Sequence, residues 1–318
     1  MHTIFVPNYF QKFQMKKNIL TLSVCLITSL VISQETDVKD TSKVGWSRSG
    51  IFSLLFNQAT FNAEWTGGGT SNIAGNISLT YDLNYQKGKV SWDNSLIGDY
   101  GLTKNKGDEF ERKTNDRLEA NTIVGYQIDE SLWAYSFFVN FRSQFVKGYE
   151  FNETTNPITR VETTRFMSPG YLQFGPGFLW KMKDTFKINI APTTSRFTFV
   201  NRKFTHVGND PAVITAFNEN PYFGVEANQT FRFAFGASAS AYFKKEVMEN
   251  VTMENVLNLY INYLEDPQNV DVDYTMNMVM KINKLLSANL VFQAIYDDDA
   301  AKGFQIREVF GLGVNFNL

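Results

Sequence analysis

In residues Ile73 to Tyr85, IAGNISLTYDLNY, the positions Ile73, Gly75, Ile77, Leu79, Tyr81, Leu83 and Tyr85 fall on one parity. Ala74, Asn76, Ser78, Thr80, Asp82 and Asn84 fall on the other. Successive side chains of a strand point to opposite sides, so this period of two predicts a long strand with one apolar and one polar face. The pattern repeats. Trp92, Leu96 and Tyr100 share a face, then Leu118, Ala120, Val124 and Tyr126, then Trp133, Tyr135, Phe137, Val139 and Phe141. Further apolar sets are Leu172 to Met182, Phe186 to Ile190, Phe231 to Phe243, Val251 to Tyr263, Val270 to Ile282, Leu286 to Tyr296 and Ile306 to Leu318. Around Pro192 the parity slips to Phe197 and Phe199, which predicts a bulge. No amphipathic helix of convincing length interrupts the series.

Counted from a first strand at Ile51, the connections alternate in length. Gly101 to Asp116, Lys147 to Met167, Asn201 to Asn220 and Asp297 to Gly303 are long, whereas Gln86 to Lys89, Asp129 to Ser131 and Asn283 to Lys284 are tight. Long loops at one end and short turns at the other predict an all-β fold: a transmembrane antiparallel up-and-down β-barrel of about twelve strands, turns periplasmic and loops extracellular. Strand length agrees, because a tilted membrane strand needs about nine to eleven residues whereas soluble strands average about five to six.

The apolar parity carries Leu, Ile, Val, Phe and Met, with Trp and Tyr near the ends, and too much bulk to fill a lumen of this size. It is therefore expected to face lipid, with every backbone group satisfied by a closed ladder. The other parity lines the lumen and carries Asp82, Asp93, Glu119, Arg142, Arg232, Glu254, Asp273, Lys281 and Arg307. Asn94, Asn255 and Glu308 break the rule by sitting on the apolar side, and Asn94 is the hardest to place.

The front of the chain has its own pattern. Residues 1–14 read as a mis-assigned start before Met15, and 15–33 as a secretory signal peptide with Lys16 and Lys17 ahead of an apolar run and Val31 and Ser33 at the cleavage positions. Residues 34–50 read as a periplasmic lead-in, and 51–318 as the barrel. Removing 1–33 takes away Lys12, Lys16 and Lys17 and no acid, which moves the net charge from −2 to −5, and it takes away Cys25, the one cysteine. Disulfides and thiolate metal sites are then excluded, and an acidic balance without a basic cluster argues against nucleic acid. No cofactor is implied. The expected partners are outer-membrane lipid and lipopolysaccharide, the barrel-assembly machinery, which the C-terminal strand FGLGVNFNL would engage, and a small solute.

NAEWTGGGTSN (62–72), SWDNSLIGDYG (91–101), KTNDRLE (113–119), NFRSQFVKGYEF (140–151), RFMSPGYL (165–172), INIAPTTSRFTF (188–199) and IYDDD (295–299) together resemble an outer-membrane β-barrel family of Gram-negative Bacteroidota, catalogued only as a domain of unknown function. The resemblance implies the barrel and its location. It supplies no substrate or mechanism.

Four features could carry chemistry. Gly67, Gly68 and Gly69 lack the following helix and the Lys-Ser/Thr of a phosphate cradle, so they read as a loop at the mouth, able to reverse the chain or gate the opening. His206 is the one histidine left after processing, with Ser195 and Asp210 near in sequence, which is thin ground for a hydrolase. Asp297 to Asp299 could meet a divalent cation, but Ala301 and Lys302 break an EF-hand spacing, so a solvated external loop is the favoured reading and no metal site is expected. Arg142, Arg232 and Arg307 against Glu119, Asp82, Asp93 and Asp273 could form opposed rings of charge selecting solutes, with Arg142, Gln144 and Lys147 near the outer end of one strand as the first place to look. The same charges could instead pair off and brace a filled interior. The sequence thus favours a porin-like or solute-selective channel, with a closed structural or surface-interaction barrel as the alternative and an outer-membrane hydrolase third.

Overall fold

The structure is a computed structural model that describes residues 44–62, 70–155, 157–182, 185–301 and 303–318. Residues 1–33, the lead-in as far as residue 43, and Gly67, Gly68 and Gly69 lie outside the described residues.

Among the described residues fourteen strands follow one another: β1 (Gly45–Ala59), β2 (Asn72–Lys87), β3 (Val90–Asn105), β4 (Arg112–Gln127), β5 (Trp133–Ser143), β6 (Gly148–Asn152), β7 (Thr159–Thr164), β8 (Gly170–Met182), β9 (Phe186–Phe199), β10 (Phe231–Met248), β11 (Val251–Asn262), β12 (Val270–Lys281), β13 (Leu286–Tyr296) and β14 (Gln305–Asn317). Twelve of them close a barrel in the order β1-β14-β13-β12-β11-β10-β9-β8-β5-β4-β3-β2. Every pairing in it is antiparallel, and β1 closes the ring by pairing Phe52 with both Leu79 of β2 and Phe316 of β14. The expected fold class is the observed one. Closure removes both sheet edges, so the ladder satisfies the backbone without water.

The outer wall is the apolar parity. Leu54, Phe56, Ile77, Leu96, Val124, Phe137, Phe178, Ile190, Phe233, Phe310 and Leu312 are all exposed on it, a pattern that makes sense only against hydrocarbon. At the turn end the aromatic rings gather. Trp46 lies 5.1 Å from Tyr85 and 5.6 Å from Trp92, and Trp133 is directly paired with Trp180. Such a girdle suits amphipathic rings at a membrane surface. No helix among the described residues is long and apolar enough to cross a membrane.

Asn94 is settled by its neighbours. Its Nδ2 donates to the Leu83 carbonyl (2.8 Å), its Oδ1 accepts from Thr122 Oγ1 (2.7 Å), and Thr122 accepts from Trp92 Nε1 (2.7 Å). A polar side chain on the lipid face thus has its hydrogen bonds made within the wall. Asn255 is handled likewise, accepting from the Tyr274 hydroxyl at 2.8 Å.

The bulge at Pro192 is present: β10 pairs Ser238 with Ala191 but Gly236 with Thr194. The extra chain crowds β8, where a Cβ on Gly175 would collide with the Thr193 carbonyl, so that position has no room for a side chain.

The strands run further than their alternation predicts. β1 begins at Gly45 rather than Ile51, the expected loop 101–116 is mostly the ends of β3 and β4, and β10 continues to Met248. Beyond the membrane belt both faces meet water, so alternation fades while pairing continues, supported there by polar contacts such as Lys104 Nζ to Glu111 Oε1 at 2.8 Å. The loops also contain structure. Residues 147–167 hold the β6–β7 hairpin, and 201–220 hold a 3₁₀ turn (Arg202–Phe204) and helix α1 (Pro211–Asn218), capped by Asp210 accepting from Ala212 N.

Candidate functional site

The alternation that turns apolar residues outward delivers charged ones to the lumen, where they meet in transverse layers. At the turn end, Lys181 of β8 and Lys187 of β9 are directly paired across the strands. Two ammonium groups in that arrangement repel. Asp93 reaches over from β3 and takes both, Lys187 at 2.6 Å and Lys181 at 3.0 Å. Since β4 and β5 stand between β3 and β8 in the ring, these bonds cross the lumen.

The second layer lies toward the loop end. Arg142 of β5 donates through Nη1 to Asp273 Oδ2 of β12 at 2.6 Å. These strands are separated by four others on the shorter side of the ring, so one ion pair spans nearly opposite walls. Asp273 also accepts from Gln293 Nε2, whose Oε1 in turn accepts from Arg307 at 3.2 Å. Glu119 takes Arg117 on one oxygen and the amides of Asn121 (2.9 Å) and Asn140 (3.0 Å) on the other. Arg196 of β9 pairs with Asp271 of β12 and lies 3.8 Å above the ring of Tyr260, while Arg142 lies 5.0 Å above Tyr171. A cavity of about 110 Å³ remains among these groups.

At the mouth Arg232 bridges Glu265 and Asp299. The loop cap is tied by Glu162, which accepts from Arg165 Nε at 2.5 Å and Lys203 Nζ at 2.8 Å, with Lys147 at 3.5 Å. These hydrogen bonds hold the Glu162 carboxyl down at about 2. Tyr222 stacks on Phe204 and donates to the Thr163 carbonyl at 2.6 Å, and desolvation raises its phenol.

The predicted site residues are therefore divided. Glu119, Arg142, Asp273 and Arg307 do share the lumen, and Asp93 lies in it nearer the turns, but as interleaved pairs rather than opposed rings. Asp82, opposite Ser95 on the neighbouring strand, has Glu254, Lys187 and Lys244 as its charged neighbours. Arg232 belongs to the mouth. Gln144 and Lys147 do not join Arg142: β5 ends at Ser143, and past it Gln144 donates to the carbonyls of Arg165 and Ser168 while Lys147 turns to Glu162. They brace the cap. No hydrogen bond among the described residues links His206 to Ser195 or Asp210; His206 faces Asn228 Oδ1 at 3.1 Å. The residues that complete the layers, Arg117, Lys181, Lys187, Arg196, Asp271 and Tyr260, were not singled out from sequence. Parity could have found the lysines, since Trp180 and Met182 outward places Lys181 inward.

A family model described as a protein of unknown function (DUF3078) matches residues 56–149. No curated protein matches the sequence. Among solved structures, the chain is similar to the translocator domain of the autotransporter NalP from Neisseria meningitidis, at 7% identity and a TM-score of 0.40 over 97% of this chain and 98% of that one. It is also similar to the COG4313 outer membrane channel from Pseudomonas putida F1, at 9% identity and 0.36 over 89% and 99%. A third similarity is to outer membrane phospholipase A from Escherichia coli, at 9% identity and 0.33 over 88% and 94%.

Proposed function

We propose that this chain is an integral outer-membrane barrel that passes small polar solutes and is held shut at rest by its two layers of cross-lumen ion pairs. The carrying observation is the Arg142–Asp273 pair, a single 2.6 Å contact between nearly opposite walls. Both partners are largely withdrawn from water, with side chains 26% and 9% exposed, so salt screens the pair little and it acts as a bolt. A lumen meant only to be filled is more economically filled with apolar side chains, because a buried ion pair barely offsets its own desolvation. Twelve strands also enclose more space than the eight that side chains just fill. The reading carries the outer-membrane setting with it: export by the N-terminal signal, insertion by the assembly machinery through the C-terminal strand, and contact with lipid and lipopolysaccharide along the apolar wall.

A second reading keeps the barrel permanently closed and gives the function to the cap, as a surface for another molecule. Its support is the Glu162 hub, which fixes the hairpin, the 3₁₀ turn and the strand end in one arrangement. Planar-bilayer recording separates the two. The channel reading expects rare, brief openings from the refolded protein and frequent ones from the Arg142→Ala/Asp273→Ala double variant. Silence from both at every voltage leaves only the closed barrel.

A further inference from the structure

We propose that the outer mouth of the barrel is a binding site for a calcium-class divalent cation, formed by Asp271, Asp297 and Asp298. The site does not depend on whether the lumen conducts. It begins with strand register: Asp271 enters β12 on the inward parity directly opposite Tyr260 of β11, and Asp297 follows the last residue of β13, whose Tyr296 pairs with Val272. The chain then turns, with the amides of Ala300 and Ala301 donating to the Asp297 carbonyl, which leaves Asp298 beside its neighbours. One carboxylate oxygen from each of the three residues lies within 4.8 Å of the others.

Asp297 is 6% exposed, and among the described residues its carboxylate accepts one hydrogen bond, from the Asp299 amide. Among the described residues, Asp271 accepts from Arg196 alone, on Oδ2. Asp298 is exposed. Three carboxylates with one guanidinium leave two negative charges uncompensated, which is what a divalent cation supplies. Asp299 is not a member, being engaged by Arg232.

A second observation points to a missing ligand independently of the acids. Tyr260 is 3% exposed, and its hydroxyl is buried without a hydrogen-bond partner among the described residues. It lines the same cavity as Asp271 and Asp297. An orphaned buried hydroxyl is costly and rare. A water held by a bound cation would satisfy it, and partial hydration is normal for such ions.

Size selects among hard cations. Calcium holds oxygens at about 2.3–2.6 Å, so ligand atoms in its shell can stand about 5 Å apart, whereas magnesium at about 2.0–2.1 Å limits them to about 4 Å. Oxygens within 4.8 Å of one another fall inside a calcium shell without movement, whereas magnesium, which dehydrates reluctantly and usually takes only one or two carboxylates, suits a three-carboxylate set less well. An all-carboxylate set without nitrogen or sulfur also disfavours zinc and copper.

Calorimetric titration of calcium chloride, and separately of magnesium chloride, into the refolded mature chain in a detergent without phosphate tests the site. The expected result is one saturable calcium event per chain, with magnesium weaker by about tenfold or more. Asp298→Asn, at an exposed position that leaves the fold intact, should weaken calcium by about tenfold or more. Tyr260→Phe should weaken it less. Because Asp297→Asn alters a buried position, its folding is checked by heat-dependent gel mobility, and Asp298→Asn decides if it fails. Absence of saturable calcium heat in the unmodified chain overturns the proposal, as does unchanged affinity in Asp298→Asn or magnesium binding as tight as calcium.

Discussion

Replacing Asp93 by alanine removes one carboxylate from between two ammonium groups. Lys181 and Lys187 stand directly opposite each other on β8 and β9, at 3.0 and 2.6 Å from that carboxylate, with side chains 21% and 19% exposed against 9% for Asp93. Removing one partner of a buried ion pair costs about 3–5 kcal/mol, and the residual exposure of the lysines puts this case near about 3 kcal/mol. Part of that cost is the positive charge left uncompensated when the two lysines lose their shared carboxylate. The cost should therefore be partly reversible: Lys181→Met in the Asp93→Ala background should return about 1 kcal/mol or more, although in the unmodified chain it removes a favourable partner. Urea unfolding in phospholipid vesicles, followed by tryptophan fluorescence, gives both numbers. A loss below about 1 kcal/mol for Asp93→Ala, or further destabilisation by the added Lys181→Met, would refute the view that this layer holds like charges together.

Asn94→Leu, which would improve the apolar parity of the lipid face, should instead destabilise by about 1 kcal/mol, because it strips the acceptor from Thr122; adding Thr122→Val should recover most of it in the same unfolding assay. Glu162 titrates at about 2, below its ordinary 4.5, so its contribution to the cap is complete above the ordinary value and is lost as pH falls through the lower one. A carboxyl-carbon NMR titration should show that low midpoint, and a midpoint near 4.5 would mean that Arg165 and Lys203 are not held against it. Glu162→Gln should speed proteolytic cleavage in the cap at neutral pH while leaving heat-dependent gel mobility unchanged.

Much of the barrel was legible because lipid enforces alternation. Wherever a strand crosses the apolar belt, as in Ile73–Leu83 or Trp133–Phe141, the outward residues are unmistakable, and strand number follows. Past the belt the rule relaxes, so Arg112 to Asp116 read as loop although they extend β4, and Gly45 to Gly50 read as lead-in although they begin β1. The lumen was legible as a set of charges but not as pairs. Parity places Arg142 and Asp273 inside, but only the ring order shows that their walls face each other. Gln144 was misplaced because parity was carried one step past Ser143, where β5 ends. Parity turns Asp271 and Tyr260 inward, but their meaning lies in register with each other and in the distant Asp297.

If Arg142 and Asp273 bolt the lumen as a pair, exchanging the two residues preserves the bolt while either change alone breaks it. Single-channel recording of Arg142→Asp, Asp273→Arg and the double exchange is predicted to give frequent openings for each single variant and return to the closed behaviour for the double, since opposite charges again face across the same span. Openings in the double variant as frequent as in the singles, or none in any of the three, would contradict the bolt.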